Sequence, residues 1–180
     1  KEGGKAESEL KGRVIKAPVA LANVVAYRAS ETLERGEVLA RTKADEAGDF
    51  TLPLPHYQGN VLVVASGGSY VEESIGLGVQ LGENELAMAL PDFTTGTKLE
   101  GLRLTPISTM AVALARFHVA HGKPAGDAYA EALVHLHQHF GGVDWSTVSP
   151  ADLTVAGVTN LSPESRAGLV LAGLSWLAKQ

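Results

Sequence analysis

The sequence predicts an α+β protein in which an antiparallel β-sandwich of about seven strands precedes a small bundle of three or four helices. Three observations predict it. From Leu10 to Leu90 the chain repeats short apolar–polar alternations separated by Gly, Pro and acidic turns, the period-2 pattern of half-buried strands. After Thr105 the apolar spacing changes to that of helices and stays there. Thr105-Pro106, Ser149-Pro150 and Ser162-Pro163 each place a hydroxyl N-cap before a proline at a first helical position.

Taken in order, residues 1–9 are polar, Gly-containing and aperiodic, as a flexible tether would be. Strands are expected at 10–16, 19–28, 37–43, 49–54, 60–66, 74–81 and 84–91, which makes 10–91 the sandwich. Phe50, Leu52 and Leu54 share one face of a strand, Ile75, Leu77, Val79 and Leu81 another, and Leu86, Met88 and Leu90 a third. Asp45-Glu46-Ala47-Gly48 reads as a hairpin turn with Gly48 free to take positive φ, and Ser66-Gly67-Gly68-Ser69 as a second turn. Pro53 and Pro55 lack a backbone donor, so the 49–54 strand belongs at an edge. The expected core is Val14, Val24, Ala26, Phe50, Leu52, Val61, Val63, Ile75, Leu77, Val79 and Leu86.

Residues 92–104 read as a connector that becomes extended again at Leu99–Leu104, and 105–180 as the helical part. A first helix is expected over about 106–121, stopping at Gly122, and a second over about 125–140, stopping at Gly141-Gly142. A short helix should follow Pro150, with Asp152 three residues after Ser149 as an approximate capping box. The last helix spans about 163–179. Its Ala167, Leu169, Val170, Leu171, Ala172, Leu174, Trp176 and Leu177 exceed a one-sided stripe, which predicts burial on nearly all sides and self-association or another partner.

Composition narrows the function classes. The chain has 180 residues, 45% hydrophobic and 19% charged, as globular proteins do. Its net charge of −5 is carried by the first 95 residues, and the helical part is neutral, so no basic footprint points to nucleic acid. No apolar stretch has membrane-spanning length. The chain opens on Lys1, which predicts a processed or trimmed chain, and it contains no Cys, which fits export but also many cytosolic domains.

Gly12-Arg13-Val14, Ala22–Tyr27, Asp45–Pro55 and Val61–Gly68 resemble a carboxypeptidase-regulatory-like domain, a transthyretin-like (prealbumin-like) sandwich common in exported bacterial proteins. The resemblance covers about residues 10–91. Leu104–Ala111 and Glu164–Ala178 are similar to the helical extension that follows such sandwiches in some bacterial envelope lipoproteins. Lys43–Gly48 departs from the pattern, with a shorter hairpin that begins on an acidic residue. The resemblance implies a non-catalytic structural or binding module outside the cytoplasm, periplasmic or at the cell surface, lipid-anchored upstream of residue 1. Its partner would be another envelope protein or a cell-surface polymer. The family has no active-site residue to carry over and implies no cofactor.

Among chemistry-bearing residues the histidines stand out, five of six lying between His118 and His139. His135 and His139 share a helical face at i, i+4, and His118 and His121 close the first helix, so the four make a candidate metal cluster and a metal-binding protein the alternative reading. His137 diverges, and Leu136 stands where a zinc-protease helix carries Glu, which favours structural roles beside the core stripe Tyr129, Leu133, Leu136 and Phe140. Gly76–Gly82 misses the dinucleotide spacing and precedes a strand; its glycines are expected to admit a close neighbour. Glu72 and Glu73 alternate faces, Ser66 is on a turn rather than a nucleophile elbow, and Asp45, Glu46 and Asp49 fall short of a calcium ligand set. No catalytic residue is assigned.

Overall fold

The computed structural model describes residues 8–72, 76–145, 147–148, 150–151 and 162–177. Nine strands come first: β1 (Ser8–Val14), β2 (Asn23–Ala29), β3 (Arg35–Lys43), β4 (Asp49–Leu54), β5 (Gln58–Ser66), β6 (Ser69–Glu72), β7 (Leu77–Gln80), β8 (Glu85–Thr94) and β9 (Lys98–Leu104). Three helices follow: α1 (Pro106–Ala120), α2 (Ala125–His139) and α3 (Pro163–Leu177). The chain is thus α+β, sandwich-like, with helices at its C-terminal end. One sheet has the order β4-β1-β9, the other β3-β2-β5-β8, and β6-β7 form a separate ribbon.

The alternation sets the sandwich core. β4 buries Phe50, Leu52 and Leu54 and exposes Thr51 and Pro53, and it lies at a sheet end as its prolines require. Val14, Val24, Ala26, Phe50, Leu52, Val61, Val63 and Leu86 all belong to the main core. Arg13 grips Asp49 across the β1–β4 ladder through Nε–Oδ1 at 2.6 Å and Nη2–Oδ2 at 2.7 Å. That hydrogen-bonded pair holds the Asp49 carboxyl below its usual range.

β5 explains how the helices attach. Its run Val61-Leu62-Val63-Val64-Ala65 is apolar without alternation, the mark of a strand covered on both faces. Val61, Val63 and Ala65 enter the sandwich core, whereas Leu62 and Val64 join Ala89 beneath Ala111, Val112 and Ala115 of α1 and Ala128 and Ala132 of α2. The small alanines let the helix backbones lie close to the sheet. A third cluster seats Ala167 and Leu171 of α3 against Ile15, Ile107, Val143 and Trp145. Thr105 caps α1 in a reciprocal box with Ser108, and Ser162 Oγ accepts the Ser165 N–H at 3.2 Å at the start of α3.

Several expectations change. Nine strands are present among the described residues rather than about seven, and not all pairing is antiparallel, because β9 runs parallel to β1. The stretch 92–104 is no mere connector: it carries the end of β8 and all of β9. The extension expected at Leu99–Leu104 is β9, in which Gly101, at φ +72°, interrupts the alternation. Ser8 and Glu9, assigned to the tether, begin β1, and buried Ser8 accepts the Gly96 N–H at 2.9 Å. Leu77 is not core: it is 62% exposed, and among the described residues β7 pairs with β6 alone, outside the two main sheets. Val79 is half-buried against the core and Leu81 is buried. The glycines at 76, 78 and 82 admit no close neighbour; a Cβ at each would meet open space, and positions 76 and 82 instead need positive φ for their turns. α3 is one-sided, with Leu169 and Trp176 50% and 56% exposed. Ile75, the 152–161 stretch with Asp152, and residues 178–180 lie outside the described residues, as do Ser149 and Glu73.

Candidate functional site

Among the described residues each main sheet ends in an edge strand, β8 in one and β9 in the other, and the two edges lie near each other. The first half of β8 is closed off by α1. Its Ala87 N–H donates to Thr109 Oγ1 at 2.9 Å, and Ser108 Oγ donates to the Ala87 carbonyl at 2.7 Å. Beyond Ala89, residues of β8 and β9 line a groove of about 480 Å³. Leu90 and Phe93 line one wall, Leu99 and Leu102 the other, and Leu133 and Trp145 also line it.

Two polar features shape this groove. Tyr129, fully within the α2–sheet joint, has its phenol pushed up to about 12 by burial, with a hydrogen bond to the Ala89 backbone offsetting part of the rise. Asp92 takes a left-handed backbone at φ +53°, held by its N–H donating to Asn60 Oδ1 at 3.1 Å. Its carboxylate abuts the first turn of α2, where Pro124 supplies no side-chain cap; a Cβ on Gly126 would lie 2.9 Å from Asp92 Oδ2. A negative charge there suits the helix N-terminus.

The histidine group divides. His118 on α1 and His135 on α2 come together, rings 5.9 Å apart, and Glu131 joins them, so one ligand atom from each lies within 4.8 Å of the others. His121 and His139 do not join. His121 Nδ1 is 2.7 Å from the Phe117 carbonyl and its ring lies on Phe117, while His139 packs edge-on against Phe140. Burial, followed by the Lys123 ammonium and the neighbouring imidazoles, lowers the His118 pKa. Glu131 was missed by the sequence reading, although its i, i+4 spacing to His135 was visible.

The acidic turn is engaged in structure. Asp45 Oδ1 accepts the N–H groups of Ala47 and Asp49 at 2.8 and 2.9 Å, Gly48 sits at φ +81°, and Asp49 holds Arg13. Glu72 is buried beside Tyr70, whose hydroxyl donates to Oε2 at 3.3 Å, while Lys16 donates to that hydroxyl at 2.7 Å.

Among the described residues the geometry therefore gives a sandwich-like body with a helical layer, an apolar groove and a His–Glu–His group. No family model and no curated protein matches the sequence. Among solved structures the chain is similar to a 9R-lipoxygenase from Cyanothece PCC8801, at 12% identity and a TM-score of 0.34. The match covers 69% of this chain and 24% of that one, so the chain spans about a quarter of the lipoxygenase's length. A likeness this slight assigns neither fold nor activity.

Proposed function

We propose that the protein is a non-catalytic binding module of an exported bacterial envelope lipoprotein, its sandwich of the carboxypeptidase-regulatory-like, transthyretin-like kind. The groove between β8 and β9 takes an extended segment of another envelope protein. The observation that carries this reading is the pairing of an apolar groove with the unpaired edge of β9. A peptide laid along β9 gains main-chain hydrogen bonds from the edge, and its alternate side chains reach Leu99, Leu102, Phe93 and Trp145. On β8 the hydroxyls of Ser108 and Thr109 already occupy Ala87, so strand addition is directed to β9. The envelope location rests on the sequence resemblance.

Photo-crosslinking side chains placed at Thr97 and Leu99, with Arg41 on β3 as control, test this in the cells that make the protein. Discrete polypeptide adducts from 97 and 99 but not 41, recovered in the envelope fraction, are expected. Glycan adducts would transfer the site to a surface polymer. Equal labelling at all three positions, or adducts confined to the cytosol, would refute it.

A further inference from the structure

We propose that His118, Glu131 and His135 form a binding site for a divalent transition metal, zinc by ligand type, with a fourth position left open. The inference is independent of the groove and of what the groove binds. It differs from the four-histidine cluster anticipated from spacing, since it excludes His121 and His139 and adds a carboxylate.

The fold brings the three residues together for simple reasons. α1 and α2 are joined by the short turn at Gly122–Pro124 and pack side by side on the sheet through their alanines. His118, near the end of α1, therefore faces the middle of α2, where Glu131 and His135 occupy one face at i, i+4. His118 Nε2 is buried without a hydrogen-bond partner among the described residues. A buried nitrogen of that kind is costly unless something accepts its lone pair or its proton.

The remaining geometry fits a small ion. Glu131 Oε1 is 3.9 Å from His135 Nε2, and the other carboxylate oxygen is held by Lys123, which fixes the carboxylate while leaving Oε1 directed at the histidines. Ligand atoms around a tetrahedral zinc stand roughly 3.3 Å apart, given bonds of about 2.0–2.1 Å. A set within 4.8 Å closes to that distance by small side-chain rotations, and His135, half-exposed at 51%, is free to make them. Two imidazoles and one carboxylate favour zinc over calcium or magnesium, which prefer oxygen ligands. Three protein ligands leave a position for water or for an anionic group from outside the chain.

Zn²⁺ alone, titrated into the purified chain by calorimetry, and Co²⁺ alone, followed by visible absorption, test the site. One ion per chain with Kd below about 10 µM is expected. His135→Ala and Glu131→Gln, both at partly exposed positions, should each weaken binding by more than roughly tenfold, whereas His121→Ala, His137→Ala and His139→Ala should leave it within about twofold. His118→Ala should act like His135→Ala, and circular dichroism of each variant reports whether it is folded. Absence of a one-to-one isotherm, or binding that survives Glu131→Gln with His135→Ala yet disappears in the His137 or His139 variants, would overturn the assignment.

Discussion

Raising the pH through about 11 should loosen the joint between α2 and the sheet through a single phenol, that of Tyr129. In the unfolded chain a tyrosine ionises near 10; in the fold, burial moves this one to about 12. The folded state then holds the proton more tightly, so the stabilising effect is complete below about pH 10 and declines as pH rises through 12. At pH 11 the loss is about 1.4 kcal/mol, and its limit above the folded pKa is about 2.7 kcal/mol. Tyr129→Phe keeps the ring in place and removes the ionisation, at a pH-independent cost of about 1 kcal/mol for the lost hydrogen bond with Ala89. Urea unfolding of both proteins at pH 8, 10 and 11, followed by Trp145 and Trp176 fluorescence, separates the phenol from the lysines that titrate over the same range, because the lysine contribution cancels in the difference. The stability advantage of the parent over the variant should shrink from pH 8 to pH 10 and be reversed by pH 11. Parallel pH curves would show that Tyr129 ionises as a solvated phenol does, and that the joint is open to water.

Core position decides the effect of two leucines: Leu52→Ala, at a fully buried site, should cost about 2–5 kcal/mol in urea unfolding, and Leu77→Ala, 62% exposed, less than about 0.5 kcal/mol. Gly12→Ala should destabilise by about 1–3 kcal/mol, because the added Cβ would lie 2.5 Å from the Leu102 carbonyl oxygen and 2.8 Å from Phe50 Cζ. The same change should abolish groove crosslinking from Leu99, since β9 has to move away from β1. Self-association through α3 would appear in light scattering as a dimer that Leu169→Glu with Trp176→Glu converts to a monomer whose circular dichroism is that of the folded parent. A parent chain that scatters as a monomer would remove that expectation.

What the sequence shows well is what neighbouring residues determine. β4 is legible from Phe50, Leu52 and Leu54, the acidic hairpin from Gly48, and α1 from Thr105-Pro106, because periodicity, positive φ and capping act within one turn or strand. Leu77 misled for the complementary reason. It has the correct phase, but phase reports which residues share a face and not whether anything covers that face. Val61–Ala65 carried a signal that could have been used further: an apolar run without alternation requires cover on both sides, and so places a helical layer over the sandwich.

The groove was hidden, and the histidine group only partly legible through His118 and His135, because both sites arise from long-range pairing. β9 returns to lie parallel to β1, about ninety residues away in sequence, and no local pattern in Lys98–Leu104 specifies that partner. Once β9 is there, β8 cannot be its ladder neighbour in the other sheet, and the space between the two edges becomes the groove. The His–Glu–His group follows the same logic on a smaller scale. Glu131 and His135 are paired by helical spacing alone, but His118 reaches them only because Leu62, Val64 and Ala89 give α1 and α2 a common floor. The doubly covered β5 and its neighbour β8 thus position both sites. A perturbation of Leu62 or Val64, far from either, should shift α1 and α2 together and alter the metal group, the Tyr129 joint and the wall of the groove at once.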